Sequence, residues 1–210
     1  MQQFTPNQQN LQTILSNLNI QGLQKKILFT LGMILIFRLC TQLPLFGIDA
    51  QNFANLAATN NLIGFLDMFS GGALGNVSII ALGIGPYITA SIIMQLLAVV
   101  IPHLEQLQKE EGEAGRRKIS QYTRVFTIVI AAIQSLVFVV YLLKTARGAI
   151  MPDVNLIAFA VGSIVILTAG SAFTMWMAEL MTERGIGNGA SMLIFCGIIS
   201  KIPFYVSQTS

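Results

Sequence analysis

Charged residues are scarce in this sequence, and hydrophobic residues dominate it. Asp, Glu, Lys and Arg make up 10% of the 210 residues, whereas an ordinary soluble domain has about 25%. Hydrophobic residues reach 54%, and the mean hydropathy is +0.69. These values exclude a typical soluble domain and predict a membrane protein with several spans. We attribute the net charge of +3 to basic loops that set membrane topology, rather than to nucleic-acid binding.

Cysteine and histidine are also rare. Cys40 and Cys196 fall in apolar segments far apart in the sequence, so we predict two small core residues and no disulfide. His103 is the one histidine, and no cluster of ligands around it predicts a metal site. The sequence has no Ser/His/Asp set that would predict hydrolysis. We therefore predict neither an enzyme nor a protein with a metal or other cofactor.

Basic residues are absent from the first 24 residues, so the sequence lacks the charged start of a secretory signal peptide. Leu11, Ile14, Leu15 and Leu18 follow the i, i+3, i+4, i+7 spacing of one helical face. This spacing favours a short interfacial helix within a cytosolic segment, residues 1–26. A disordered polar tail is the alternative.

Long apolar runs predict an all-α fold with five transmembrane helices in a unit of residues 27–206. We place the spans at about 27–43, 77–101, 121–143, 156–180 and 190–206, since a spanning helix needs ~20 apolar residues.

Lys and Arg are divided unequally between the two sides of the predicted membrane. Eight lie on one side: Lys25, Lys26, Lys109, Arg116, Arg117, Lys118, Arg124 and Arg184. Four lie on the other: Arg38, Lys144, Arg147 and Lys201. Because basic loops stay in the cytosol, this asymmetry predicts a cytosolic N-terminus.

A half-length apolar segment precedes the second span. It runs from Leu62 to Phe69 and ends at Ser70-Gly71-Gly72, so it is too short to cross a bilayer. Such a piece beside a full span predicts a re-entrant element, which is tolerated where protein or a water-filled cavity lines it. The segment therefore favours a pore or transport path over a simple anchor.

The second predicted span carries a face that changes from apolar to polar. Ile84, Ile88, Ser91 and Gln95 lie at i, i+4, i+7 and i+11, on one side of a helix. Two interpretations stay open: a hydrophobic constriction with a wetter vestibule, or ordinary helix packing with Gln95 bonded to a neighbouring helix. Pro86 lacks an N–H for the carbonyl of Leu82, so we predict a kink there.

Two loops are candidates for contacts on the cytosolic side. In residues 111–124 we predict a compact charged tip formed by Glu113, Arg116, Arg117 and Lys118. The tip either contacts a cytosolic partner or acidic lipid headgroups or is a solvated loop. The sequence ERGIGNG, residues 183–189, contains G-x-G-x-G, but its flanks are helical. We therefore predict a tight turn rather than a phosphate site.

Polar residues inside the other spans are few. Gln134 is expected to bond a neighbouring helix. Glu179 is expected near the membrane surface, where it snorkels or pairs with Arg184. We find no charge deep in the middle of any predicted span, which argues against a proton-coupled or ion-coupled transporter.

Several long motifs together resemble the N-terminal half of the SecY family, whose members are central subunits of protein-translocation channels. The motifs are ILFTLGMILIFRL with LPLFGID, FSGGAL, ALGIGPYITASIIMQLL, EGEAGRRKISQYTR and TERGIGNGASMLIF, in order across nearly the whole chain. The stretches NNLIGFLDMFSGG and LEQLQKEEGEAGRRK are most similar to the cyanobacterial or plastid form.

The resemblance implies a role for each of these regions. It implies a plug at 62–72, comprising Leu62, Ile63, Phe65, Leu66, Met68, Phe69, Ser70, Gly71 and Gly72. It implies a pore ring that includes Ile84, Ile88 and Ile194, with Ala190 where a further ring isoleucine is common. It implies a lateral gate along the second and third spans, for which Thr89, Ser91, Gln95 and Gln134 are candidates. Residues 207–210 would begin a hinge to a second half.

The resemblance also implies partners and a location. The partners would be the second half of the channel, SecE-like and SecG-like subunits, SecA or the ribosome, signal sequences of preproteins, and membrane lipids, with no direct nucleic-acid contact. The membrane would be the bacterial plasma membrane or a thylakoid membrane. Two alternatives stay open: half of a five-span inverted-repeat transporter, and a non-conducting membrane scaffold that binds partners.

Overall fold

The computed structural model of the chain describes residues 20–49, 53, 73–102, 104–105, 112–145, 150 and 155–209. The described part contains five helices, in agreement with the predicted all-α class. They are α1 (Ile20–Thr41), α2 (Gly85–Val100), α3 (Gly112–Thr145), α4 (Leu156–Arg184) and α5 (Gly189–Thr209). Each helix overlaps one predicted span.

Two helical stretches are long and apolar enough to cross a membrane within the described residues. They are Arg117–Lys144 in α3 and Leu156–Arg184 in α4, with mean hydropathies of 2.5 and 2.2. The apolar helices Gly85–Val100 and Gly189–Ile199 are shorter. The predicted count of five spans thus stays a prediction.

The second predicted span is shorter than expected. Residues 73–84 lie in turns, and the helix begins at Gly85 with Ile84 as its N-cap. Pro86 therefore lies in the first helical turn. N–H groups in that turn have no carbonyl partner within the helix, so the N–H that proline lacks costs no hydrogen bond there. The predicted helix from residue 77 and its kink at Pro86 are both wrong, because the proline starts the helix.

The irregular stretch 73–84 is buried by protein. The N–H of Leu45 donates to the carbonyl of Val77 at 2.8 Å, and the N–H of Ile79 donates to that of Leu43 at 3.0 Å. On another side the stretch lies directly against Gly170 of α4. Irregular backbone at membrane depth requires such protein partners, and here they are the segment that follows α1 and the middle of α4.

The charged segment before the third span is helical rather than a loop. α3 begins at Gly112, nine residues before the predicted start at Gln121. The prediction of a loop tip is wrong because hydropathy marks where a helix becomes apolar, while Glu, Ala, Arg and Lys are good helix formers. Glu113, Arg116, Arg117 and Lys118 accordingly lie in the first turns of α3.

The turn between α4 and α5 agrees with the sequence-based prediction. Gly187 has a φ of +69°, a conformation that glycine adopts without the steric cost of a Cβ. The Asn188 side chain then accepts hydrogen bonds from the N–H groups of Ala190 at 3.0 Å and Ser191 at 3.4 Å. This cap satisfies two free donors at the start of α5 and sets the direction in which α5 leaves the turn.

One apolar core, which we call the central cluster, joins four helices and the irregular stretch. Its buried members are Met33, Phe37, Ala73, Ile80, Ile84, Met177, Ala178, Met181 and Leu193. Ile88, Ala190 and Ile194 are partly buried and pack against it. The central cluster thus places the start of α2 beside the start of α5.

Candidate functional site

Two cavities adjoin α2, and they differ in polarity. The polar cavity has a volume of ≈ 480 Å³ and the apolar cavity one of ≈ 690 Å³. The polar cavity is lined by Tyr87, Ile88, Ser91, Ile92, Gln95, Ser120, Arg124, Glu179, Thr182, Glu183, Asn188, Ala190, Ser191 and Ile194. The apolar cavity is lined by Phe53, Leu74, Ala81, Leu82, Gly83, Ile84, Gly85, Ile88, Ile133, Gln134, Val137, Phe138, Tyr141 and Ile194.

Two isoleucines form the boundary between the cavities. Among the described lining residues, Ile88 of α2 and Ile194 of α5 are the ones that border both cavities. We call this pair the waist. Because its side chains are apolar, the waist separates a compartment that favours water from one that does not.

The helix geometry of α2 explains how one face serves both cavities. The N–H of Ile88 donates to the carbonyl of Ile84 at 3.1 Å, which places these side chains one turn apart. Ile84 borders the apolar cavity, Ile88 borders both, and Ser91 and Gln95 border the polar cavity. The predicted apolar-to-polar face is therefore present. Gln95 donates from Nε2 to Ser91 Oγ at 3.4 Å on the same helix.

The four predicted ring residues lie close to one another but not at one level. Ile84 is a member of the central cluster, and the other three pack against it. Ile84 borders the apolar cavity alone and Ala190 the polar cavity alone. Ile88 and Ile194 thus form the waist itself. Ile84 lies on its apolar side and Ala190 on its polar side.

The four predicted gate residues are spread more widely. Gln134 is half-buried on α3 and borders the apolar cavity, while Ser91 and Gln95 border the polar one. Thr89 is exposed on α2, where its hydroxyl donates to the carbonyl of Gly85 at 3.0 Å, and it borders neither cavity. The structure does not gather these residues into one site.

An ion pair lines the polar cavity and joins α3 to α4. Arg124 Nε donates to Glu179 Oε1 at 2.9 Å. The side chain of Arg124 is 47% exposed and that of Glu179 is 14% exposed. The predicted pairing of Glu179 with Arg184 is wrong, because the neighbouring helix presents Arg124 to the carboxylate.

The predicted charged contacts differ in how far the structure describes them. Arg117 and Lys118 are exposed near the start of α3, and Arg184 is exposed at the end of α4. The side chains of Glu113 and Arg116 lie outside the described residues, as does the whole predicted plug at 62–72. Phe53 and Leu74, which come before and after this segment in the sequence, both line the apolar cavity.

Several cavity residues carry no signal that sequence reasoning could use. Ser120, Thr182 and Asn188 come from three separate elements, and the fold brings them to the polar cavity. No local spacing joins them, although Asn188 belongs to the G-N-G turn that the sequence marks.

Among the described residues, no group of three or more His, Cys, Asp or Glu side chains could hold a metal ion.

Comparison with known proteins gives consistent matches. A sequence profile for the family described as SecY matches residues 78–210. A protein translocase subunit SecY of Synechocystis is 47% identical over 198 residues, which are 94% of this chain and 44% of that protein. A subunit of the same name from Synechococcus elongatus is 48% identical over 209 residues, with 98% and 46% covered. The chain thus spans less than half the length of these relatives.

Solved structures share the fold at lower sequence identity. A protein-conducting channel matches with a TM-score of 0.63 and 20% identity, covering 86% of this chain and 37% of the other. Sec61 in a canine ribosome-channel complex from the endoplasmic reticulum matches with the same values.

Proposed function

This chain belongs to the SecY family, and we propose that it forms one half of the wall of a protein-conducting membrane channel. In this proposal it passes unfolded preproteins across the membrane and releases transmembrane segments sideways, and it is not an enzyme. The observation that carries the proposal is the waist, where a polar and an apolar cavity meet at Ile88 and Ile194.

The ring residues act as an apolar seal. Ile88 and Ile194 form the waist, and Ile84 and Ala190 lie on either side of it. Apolar constrictions of this kind block ions because water leaves them. Around a translocating chain, the same flexible side chains close without making specific bonds. Ala190 is smaller than the ring isoleucines, so the second half of the channel supplies more of the seal on that side.

The plug occupies the apolar cavity when the channel is at rest. Phe53 and Leu74, which come before and after the proposed plug in the sequence, line that cavity, and this supports a plug that fills it. The plug residues Leu62, Ile63, Phe65, Leu66, Met68 and Phe69 are apolar, as most of the cavity lining is, and Ser70-Gly71-Gly72 follows them in the sequence.

The lateral gate lies along α2 and α3. Thr89, Ser91, Gln95 and Gln134 contribute polar groups on this wall, and the second half of the channel contributes the other wall. A signal sequence that inserts between the walls separates them and displaces the plug. The driving energy comes from SecA or the ribosome, and one solved relative is itself part of a ribosome-channel complex.

The proposed topology has five spans and a cytosolic N-terminus. The polar cavity then opens to the cytosol, because Arg117, Lys118 and Arg184 lie at its end of the helices. Together with Glu113 and Arg116, these residues contact SecA, the ribosome or acidic lipid headgroups. SecE-like and SecG-like subunits complete the assembly in a bacterial plasma membrane or a thylakoid membrane.

Ion conductance of the purified channel in a planar bilayer tests the proposal. Ile88→Gly removes a waist side chain, so we expect a resting conductance well above that of the unaltered channel. Leu96→Gly is the matched control, because Leu96 lies on the same helix, is 62% exposed and borders neither cavity. Equal conductance in the Ile88 and Leu96 variants would falsify the waist as a seal.

A second measurement tests the assembly. The chain is purified by affinity from detergent-solubilised membranes, and the retained proteins are identified by mass spectrometry. We expect a second SecY half and SecE-like and SecG-like subunits. Retention of no such protein would remove the basis for a channel built around this chain.

A further inference from the structure

A single arginine joins α1 to the helix that carries Ile194. Arg38 lies in the apolar run of α1 and is half-buried. One of its guanidinium nitrogens, Nη2, donates to the backbone carbonyl of Cys196 on α5. The same nitrogen lies 3.6 Å from Cys196 Sγ. The contact therefore crosses between two helices and ends on main chain.

The position of this contact along α1 places it well inside the helical bundle. Thr30 Oγ1 accepts the N–H of Ile186 at 3.3 Å, so Thr30 is level with the α4–α5 turn. Arg38 is eight residues further along α1, a rise of about 12 Å at 1.5 Å per residue. In the proposed topology, the guanidinium thus lies within the ~30 Å hydrocarbon layer. Arg38 then departs from two sequence-based expectations, that no charge lies deep in a span and that this arginine belongs to the outer side of the membrane.

A guanidinium at this depth needs a partner with a strong dipole. Charged side chains within a membrane are costly, and those that are found there face the bundle and pair with other charges or with backbone carbonyls. The carbonyl of Cys196 is such a partner. An intramembrane charge with a defined partner is a reason to look for a function.

The main-chain end of the contact is close to the waist. Cys196 is two residues after Ile194 on α5, so a bond to its carbonyl restricts both the height and the rotation of Ile194. Ile194 also packs against the central cluster, to which α1 contributes Met33 and Phe37. The bond from Arg38 to the Cys196 carbonyl adds a directional contact to this apolar packing.

We propose that Arg38 is a positioning residue that fixes α5 so that Ile194 closes the waist against Ile88. The inference rests on the proposed function, since it concerns how tightly the resting channel is sealed. Arg38 itself borders neither cavity, so its effect on the seal is transmitted through the backbone of α5. The donor to the Cys196 carbonyl is the feature that matters, and a side chain that retains a donor retains the function.

Three substitutions at Arg38 separate the donor from the bulk of the side chain. Arg38→Met keeps most of the length and removes every donor, Arg38→Lys keeps a charged donor, and Arg38→Gln keeps a neutral one. Lys144→Met is the control, because it removes a positive charge from the exposed end of α3. Each variant is purified as the assembled channel, and its resting conductance is measured in a planar bilayer beside Ile88→Gly.

We expect Arg38→Met to raise the resting conductance by at least roughly tenfold, because the loss of a charge-assisted hydrogen bond shifts an equilibrium by about that factor or more. Arg38→Lys and Arg38→Gln should return it most of the way to the unaltered value, and Lys144→Met should leave it unchanged. The inference is overturned if Arg38→Met conducts like the unaltered channel while Ile88→Gly leaks. It is also overturned if all three Arg38 variants leak equally. If Ile88→Gly itself does not leak, the proposed function fails first.

Discussion

The close approach of α4 to the irregular stretch predicts a strong effect from adding one methyl group. A Cβ on Gly170 would lie 2.0 Å from the carbonyl oxygen of Ile79 and 3.0 Å from its carbonyl carbon. Both are backbone atoms, so no side-chain rotation relieves the clash. In Gly170→Ala, α4 and residues 73–84 must therefore separate.

The expected cost follows from two opposing terms. Overpacking of a close interface costs about 1–3 kcal/mol, while replacing Gly by Ala inside a helix gains up to about 1 kcal/mol. Because the clash is with backbone atoms, we take the upper part of the first range, about 2–3 kcal/mol. Less the helix gain of about 1 kcal/mol, the net loss for Gly170→Ala is about 1–2 kcal/mol. In a chain of this size, that corresponds to a midpoint of thermal unfolding roughly 2–8 °C lower.

Thermal unfolding in detergent measures this loss, with the fluorescence of Trp176 on the same helix as the probe. Gly162→Ala is the matched control, because it also lies in α4 and has no atom within 4 Å of its added Cβ. The control should unfold at the same temperature as the unaltered chain or slightly above it. If Gly170→Ala were as stable as Gly162→Ala, the described contact between α4 and Ile79 would be refuted.

Two further experiments test local features, one in the polar cavity and one in the α4–α5 turn. Arg124 and Glu179 are changed to Gln, singly and together, and a double-mutant cycle on thermal unfolding measures the interaction energy between the two side chains. We expect about 0.2–1 kcal/mol, falling as salt is added, because one partner is largely exposed. An interaction energy of zero at low salt would contradict the ion pair. Gly187→Ala should lose about 1–2 kcal/mol because the residue has a positive φ. The same melting assay compares Gly187→Ala with Gly162→Ala. Equal melting temperatures of these two variants would count against a left-handed conformation at Gly187.

Periodicity is sufficient to predict the face of α2 that borders both cavities. The alignment of Ile88, Ser91 and Gln95 depends on helix geometry alone, so the sequence contains all that is needed. Ile194 is different, because it meets Ile88 through the packing of α5 against the central cluster. Its place in the waist follows from the family resemblance rather than from any spacing within this chain.

The start of α2 differs from the prediction because hydropathy does not distinguish a helix from buried irregular backbone. Residues 77–84 are as apolar as the helix that follows. Several of their side chains are buried against the rest of the protein, and a buried position favours apolar residues whether or not the backbone is helical. The signal that the helix begins later is present in Gly85-Pro86, as proline is favoured in the first helical turn. Because the apolar run continues on both sides of this pair, the same proline also fits a kink within a longer helix.

The partner of Glu179 shows how far local geometry can go. Arg184 is five residues away on the same helix, and at 3.6 residues per turn the two side chains are about 140° apart around it. Neighbours on a helix surface are three or four residues apart, so the sequence alone disfavours that pairing. To find Arg124 instead requires knowing that α3 packs on α4, since 55 residues separate the pair. The bond from Arg38 to Cys196 spans 158 residues, so it too follows from how the helices pack rather than from the spacing of residues along any one of them.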